Sequence, residues 1–194
     1  EKIGPAAHKY FFQVFADAEA AKNDLSKRVT GAVVDALDAI PKATRKNFSK
    51  RIYMPLMDQN FTRSELMMMA LNTGNESNYQ KMLRGSKDDL NGTPEWTEAS
   101  VDEALSHLTA EEWTFVFAVW DALEGMYPEV DAIYRRENGK SPEKIEAREV
   151  TTKWGQTHRG GYFPMKYDPT RSRKGKTVEA KGAVQMMQDS NVKA

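Results

Sequence analysis

The chain has 194 residues, enough to bury a true hydrophobic core within one domain of ordinary size. Lys+Arg and Asp+Glu both number 28, so no bulk field drives the chain toward nucleic acid or a membrane surface. It has no Cys, which excludes disulfide scaffolds, thiolate zinc sites and Cys nucleophiles together.

The longest apolar runs, such as Met67-Met68-Met69-Ala70-Leu71, fall far short of the ~20 residues of a membrane span. The N-terminus lacks the basic-then-apolar pattern of a secretory signal. Glu1-Lys2-Ile3 reads as mid-chain, so the expectation is a soluble piece of a longer protein.

Gly4-Pro5 opens a helical pattern with Tyr10, Phe11, Val14, Phe15 and Ala18 on one face. Asp24 is a possible N-cap for a second helix, where Leu25, Val29, Val33, Leu37 and Ile40 recur before Pro41 ends it. Lys42, Arg45, Lys46, Lys50 and Arg51 then predict a basic helix reaching toward Tyr53, broken or kinked at Pro55. Thr62 or Ser64 caps a helix through Leu71. Gly74 suits a left-handed residue closing that helix, and Asn75 caps a short helix that Gly85 stops. Residues 86–99 are turn-rich, with Trp96 as their large apolar anchor.

Ser100-Val101-Asp102-Glu103 and Thr109-Ala110-Glu111-Glu112 both fit the capping-box pattern. The second opens a helix with Trp113, Val116, Phe117, Trp120, Leu123 and Met126 on one face. Pro128 suits the first turn of a further helix, which Asn138-Gly139 stops. Residues 149–154 and 162–167 are β-prone and flank Gly155 and Gly160-Gly161, which predicts a hairpin or extended clasp lying on the helices. A basic tail follows. Val178 to Met187 can form one more helix if a partner buries Val184, Met186 and Met187. The fold class is therefore mainly α, an irregular helical bundle with a small β clasp and a flexible tail. Residues 1–170 form one helical domain, with N-terminal helices over 1–60, central helices over 61–140 and the clasp over 141–170. Residues 171–194 form the tail.

Charge is segregated although it sums to zero. Residues 88–149 hold 16 acidic and 5 basic side chains, while 151–176 hold 7 basic and 1 acidic. One reading is intramolecular, the basic clasp lying over acidic helices. The other is a nucleic-acid contact through Lys153, Arg159, Lys166, Arg171, Arg173, Lys174 and Lys176. Trp154, Tyr162, Phe163 and Tyr167 would then be stacking platforms. His8, His107 and His158 stand at no metal-pair spacing, so no metal or cofactor is called for. His158-Arg159-Gly160-Gly161 fits an anion nest or a supporting turn. Adjacent carboxylates are explained by helix starts, and no G-x-S-x-G or phosphate-loop context occurs. The ten Met residues suit core filling or an adaptable interface.

Three stretches stand out together. The first is Leu71-Asn72-Thr73-Gly74-Asn75-Glu76-Ser77-Asn78 with Leu83-Arg84-Gly85. The second is Leu108-Thr109, Glu112-Trp113 and Trp120-Asp121. The third is Gly139-Lys140-Ser141-Pro142 leading to Gly160-Gly161-Tyr162-Phe163-Pro164 and Tyr167-Asp168. Together, over about residues 60–170, they resemble a helical module of the large polyvalent proteins of bacteriophages and prophages. Such proteins string enzymatic and helical segments together, travel in the virion and enter the host with the DNA. The resemblance implies a non-catalytic interaction module whose partners are neighbouring segments of a parent chain or a second copy, with DNA as the alternative. It supplies no catalytic residue. In this chain Gly74, Asn75, Ser77, Trp113, Trp120, Gly160, Gly161, Tyr162 and Pro164 carry architectural roles. A third possibility is a helper that completes a neighbouring enzyme's site, with a pocket around Asn75, Glu76, His158 and Tyr162.

Overall fold

The stripe Leu25, Val29, Val33 and Leu37 belongs to one long helix, α1 (Val14–Ala39), with Ile40 buried just beyond its end. The computed structural model describes residues 14–87 and 95–164. Asp24 lies inside α1 and starts no new helix, because nothing at that point interrupts the helical hydrogen bonding. Pro41 stops α1, and the helix after it is one turn, α2 (Lys42–Arg45).

The expected basic helix toward Tyr53 is instead an antiparallel hairpin of β1 (Arg51–Met54) and β2 (Gln59–Thr62), with Ile52 opposite Phe61 and Met54 opposite Gln59. A 3-10 turn over Pro55–Met57 joins the strands, and Asp58 closes it at φ 48. Asp tolerates this left-handed conformation better than most non-glycine residues. Tyr53 donates its hydroxyl to Asp58 at 2.6 Å across the turn. The alternation of exposed Arg51 and Tyr53 with half-buried Ile52 and buried Met54 makes a strand fit where a helix would expose the apolar pair.

Thr62 ends β2 and caps α3 (Arg63–Leu71) through a complete box with Glu65. Asn75 caps α4 (Glu76–Lys87): its Oδ1 accepts from Asn78 N at 2.8 Å. Gly85 does not stop α4, which continues to Lys87. The cap of α5 (Glu98–Leu105) is Thr97, with Ser100 as its reciprocal partner three residues on, so the box begins earlier than Ser100. The box of Thr109 and Glu112 opens α6 (Ala110–Glu124). Pro128 sits in the first turn of α7 (Tyr127–Asn138), and Gly139 ends it at φ 71.

The clasp is β3 (Val150–Thr151) paired antiparallel with β4 (Thr157–His158). The expected partner strand over 162–167 does not form within the described residues, because the chain turns back sooner. Gly155 takes φ 78, and Thr152 Oγ1 accepts from both Trp154 N and Gln156 N, which closes the hairpin over 152–156. The fold is thus mainly α with small antiparallel hairpins, including the one over 51–62. The tail over 171–194 lies outside the described residues.

α1 lies along α6, while α3 packs on α6 and α5. The core holds Met54, Met57, Leu66, Met67, Val101, Leu108, Trp113, Val116 and Trp120. Met thus serves as core filler at several positions, its flexible side chain fitting the irregular space between short elements. No helix among the described residues is long and apolar enough to cross a membrane.

Candidate functional site

One segment from each of the three stretches singled out in the sequence (Leu71 to Asn75, Trp120 and Gly160-Gly161) meets the others around the indole of Trp120. The last turn of α3 delivers Leu71, and the tight turn after it delivers Thr73, Gly74 and Asn75, all buried. Thr73 secures that turn by donating its hydroxyl to Ala70 O at 2.7 Å. Trp120, 1% exposed, donates its indole N–H to Leu71 O at 3.0 Å.

Gly74 does not close α3 in a left-handed conformation; Asn72 occupies the C-cap, and Gly74 is absent from the positive-φ positions. Its requirement is steric. A Cβ there would lie 2.4 Å from Trp120 Cε2 and Cζ2 and 2.8 Å from Gly161 N. Gly161 is held the same way, since a Cβ would fall 2.6 Å from Trp120 Cβ. Gly160 combines φ +84 with a Cβ position 2.0 Å from Arg148 O. The glycines allow two passes of backbone to close on one ring.

Hydrogen bonds then join the passes. Gly74 O accepts from both Arg148 N and Gly161 N at 2.8 Å. Asn75 forms an antiparallel bridge with Ala147. Asn78 Nδ2 donates to Phe163 O at 2.6 Å. Residues 147–163 are thereby pinned across the helices, and Tyr162-Phe163 is anchored to α4 rather than to β3.

Aromatic rings extend the junction along α6. Trp113, Phe117 and Trp120 follow one another at centroid spacings of 5.8 Å, and the His158 ring stacks on Phe117 at 4.8 Å and 13°. His158 Nδ1 accepts from Gly160 N at 3.0 Å, so its ring proton sits on Nε2, facing Asp121 Oδ1 at 3.3 Å. The stretch His158 to Gly161 is a supporting turn here, with its ring aimed at protein. Asn75, Glu76, His158 and Tyr162 do not converge on one hollow: Asn75 caps α4, Glu76 pairs with Arg148 at 3.2 Å, and Tyr162 stands 43% exposed.

The remaining sequence-selected residues scatter around this centre. Ser77 lies exposed in the first turn of α4, and Asn75, not Ser77, makes the cap. Pro164 is exposed. Lys153 donates its amine to Ser106 O and lies over the Trp154 ring, while Trp154 Nε1 donates to Leu108 O at 3.1 Å. Arg159 approaches Asp121 at 3.6 Å. These clasp cations touch the chain's own helices. Lys166, Arg171, Arg173, Lys174 and Lys176 lie outside the described residues.

Two residues that carry much of the arrangement escaped sequence reasoning. Arg148 donates Nη1 to Thr73 O at 3.3 Å and lies 4.2 Å over the Tyr79 ring. Burial pushes the Tyr79 phenol up, with Glu98 adding to the rise and Arg148 opposing it. Arg63 forks onto Glu112, with Nε to Oε1 at 2.7 Å and Nη2 to Oε2 at 2.5 Å. The Glu112 hydrogen bonds are the leading reason the Arg63 guanidinium is held above its usual value. The one available signal was that Arg148 stands alone as a cation between Glu146 and Glu149.

Beside the junction, a 330 Å³ cleft is lined by Thr73, Tyr79, Asp102, Ser106, Arg148 and Thr152 among others. Its cations are already engaged by protein acceptors. No group of acidic and histidine side chains that could hold a metal occurs among the described residues. No family model, curated protein or solved structure matches the chain.

Proposed function

We propose that this chain is a non-catalytic structural and interaction module of a phage-derived large polyvalent protein, carried in the virion and delivered to the host cytoplasm with the genome. The observation that carries the reading is the use made of the resembling residues. Leu71, Gly74, Asn75, Asn78, Trp120, Gly160 and Gly161 converge on one junction, where their polar groups cap, bridge and pin backbone. Residues selected for reaction would present such groups to a hollow. Mass spectrometry of particles purified from the cells that encode the chain tests the reading. Its peptides should co-purify with particles, on a polypeptide longer than 194 residues. Peptides found only in the host's particle-free fraction would contradict it.

A second reading is contact with single-stranded nucleic acid. Trp154 and Tyr162, 52% and 43% exposed, favour it as stacking surfaces. Binding would then weaken with salt and on neutralising Arg171, Arg173, Lys174 and Lys176. No shift of labelled DNA at low salt would end this reading.

A further inference from the structure

An apolar groove of 380 Å³ opens between the end of α6, the start of α7 and the segment over 142–164. Leu123, Met126, Tyr127, Val130, Ile145 and Tyr162 line it. Val130, Ile145 and Tyr162 are 41%, 44% and 43% exposed, and Ile133 and Tyr134 on α7 add 48% and 37%. On its rim Lys144 is taken up by Glu124 and lies over the Tyr127 ring. A concave face of this kind takes aliphatic side chains and gives a phosphate backbone nothing to hold.

The chain itself points to the occupant. Pro164, the last described residue, lies on this groove, and residues 165–194 follow from it. Within them Ala180, Val184 and Met187 recur at i, i+4 and i+7, beside Met186. Such a stripe needs an apolar partner, and Met adapts to an irregular one. The 14 residues from Pro164 to Val178 span at most roughly 50 Å, so reach is no obstacle. Between them lie Arg171, Arg173, Lys174 and Lys176, and the groove's flank carries the exposed carboxylates Glu143 and Glu146. Charge therefore favours the same approach. We propose that residues 178–187 of this chain dock in this groove, in cis, through Val184, Met186 and Met187. The inference does not depend on the chain being phage-borne.

The absence of Cys gives a clean test on the full chain. Ile145→Cys is paired with Met187→Cys, and Met68→Cys, an exposed position on α3 outside the groove, is paired with Met187→Cys as the control. On dilute oxidation the groove pair should form an intramolecular disulfide about tenfold faster than the control, from its higher effective concentration. Val130→Asp should bring the rate down to the control. Equal rates for the two pairs would overturn the proposal, and so would cross-links that run as dimers, which would make a second copy the occupant. Methyl NMR of the Cys-free chain provides a second measurement. Val130→Asp should shift the Met186 and Met187 methyl signals, and unmoved signals would likewise overturn it.

Discussion

Trp120 donates its indole N–H to the carbonyl of Leu71 at 3.0 Å. Leu71 is the last residue of α3, so its carbonyl is one that the helix itself leaves unpaired. A side chain from the middle of α6 thus completes the end of another helix. Trp120→Phe keeps most of the ring and loses the bond. It should cost about 1–3 kcal/mol in urea denaturation, the penalty of a buried unsatisfied carbonyl. Trp120→Ala should cost about 3–5 kcal/mol.

The glycines divide sharply by surroundings. Gly160→Ala places a Cβ at 2.0 Å from backbone and strains a φ of +84, and Gly74→Ala drives a Cβ into the Trp120 ring at 2.4 Å. Each should lower stability by about 3 kcal/mol or more, since backbone and a wedged indole cannot yield cheaply. Gly31→Ala in α1 meets nothing within 4 Å and should raise stability by about 0.5–1 kcal/mol. Thermal melts of the three variants check the order, and a destabilised Gly31→Ala would count against α1 as a continuous helix.

Local features were legible in the sequence, and long-range ones were not. The box at Thr109 and Glu112, the cap at Asn75 and the stop at Gly139 depend on neighbours within a few residues, which the sequence displays directly. The hairpin over 51–62 was hidden because basic residues ahead of Tyr53 suit a helix, and only tertiary burial of Met54 and Phe61 selects a strand. Gly74 was visible as a special position for the wrong reason: its constraint comes from Trp120, 46 residues away, and not from its own φ. The Arg63–Glu112 pair spans 49 residues and has no sequence signature, since Glu112 is already accounted for by its cap.

That pair yields a non-additive prediction. Glu112 is fully buried and also accepts from Thr109 N at 2.8 Å, so its carboxylate depends on both partners. Arg63→Met strands a buried charge and should cost about 3–5 kcal/mol. Adding Glu112→Gln should recover a large part of that loss, because the amide oxygen can keep the cap without the charge. Denaturant midpoints of the two single variants and the double variant measure the coupling; a strictly additive result would contradict a paired, desolvated carboxylate.

Alkaline pH should weaken the fold through Tyr79. Burial, aided by Glu98, raises its phenol above the ordinary value, so the neutral form is the one the folded state favours. A raised value contributes stability that is fully present below the ordinary tyrosine value of about 10 and is lost as pH climbs through the folded one. Tyr53, raised chiefly by its hydrogen bond to Asp58, acts in the same direction. Stability measured from pH 9 upward should therefore fall more steeply in the parent chain than in Tyr79→Phe. Identical slopes would place the phenol in water.

The loop around Gly74 and the ring of Trp120 form one interlocked unit, and a double-mutant cycle measures the coupling between them. The cycle combines Gly74→Ala with Trp120→Leu and reads unfolding free energies in urea. If the ring is what excludes a Cβ at position 74, Gly74→Ala should be less damaging in the Trp120→Leu background by about 1 kcal/mol or more. Additivity to within about 0.5 kcal/mol would show two independent sites and would contradict the interlock.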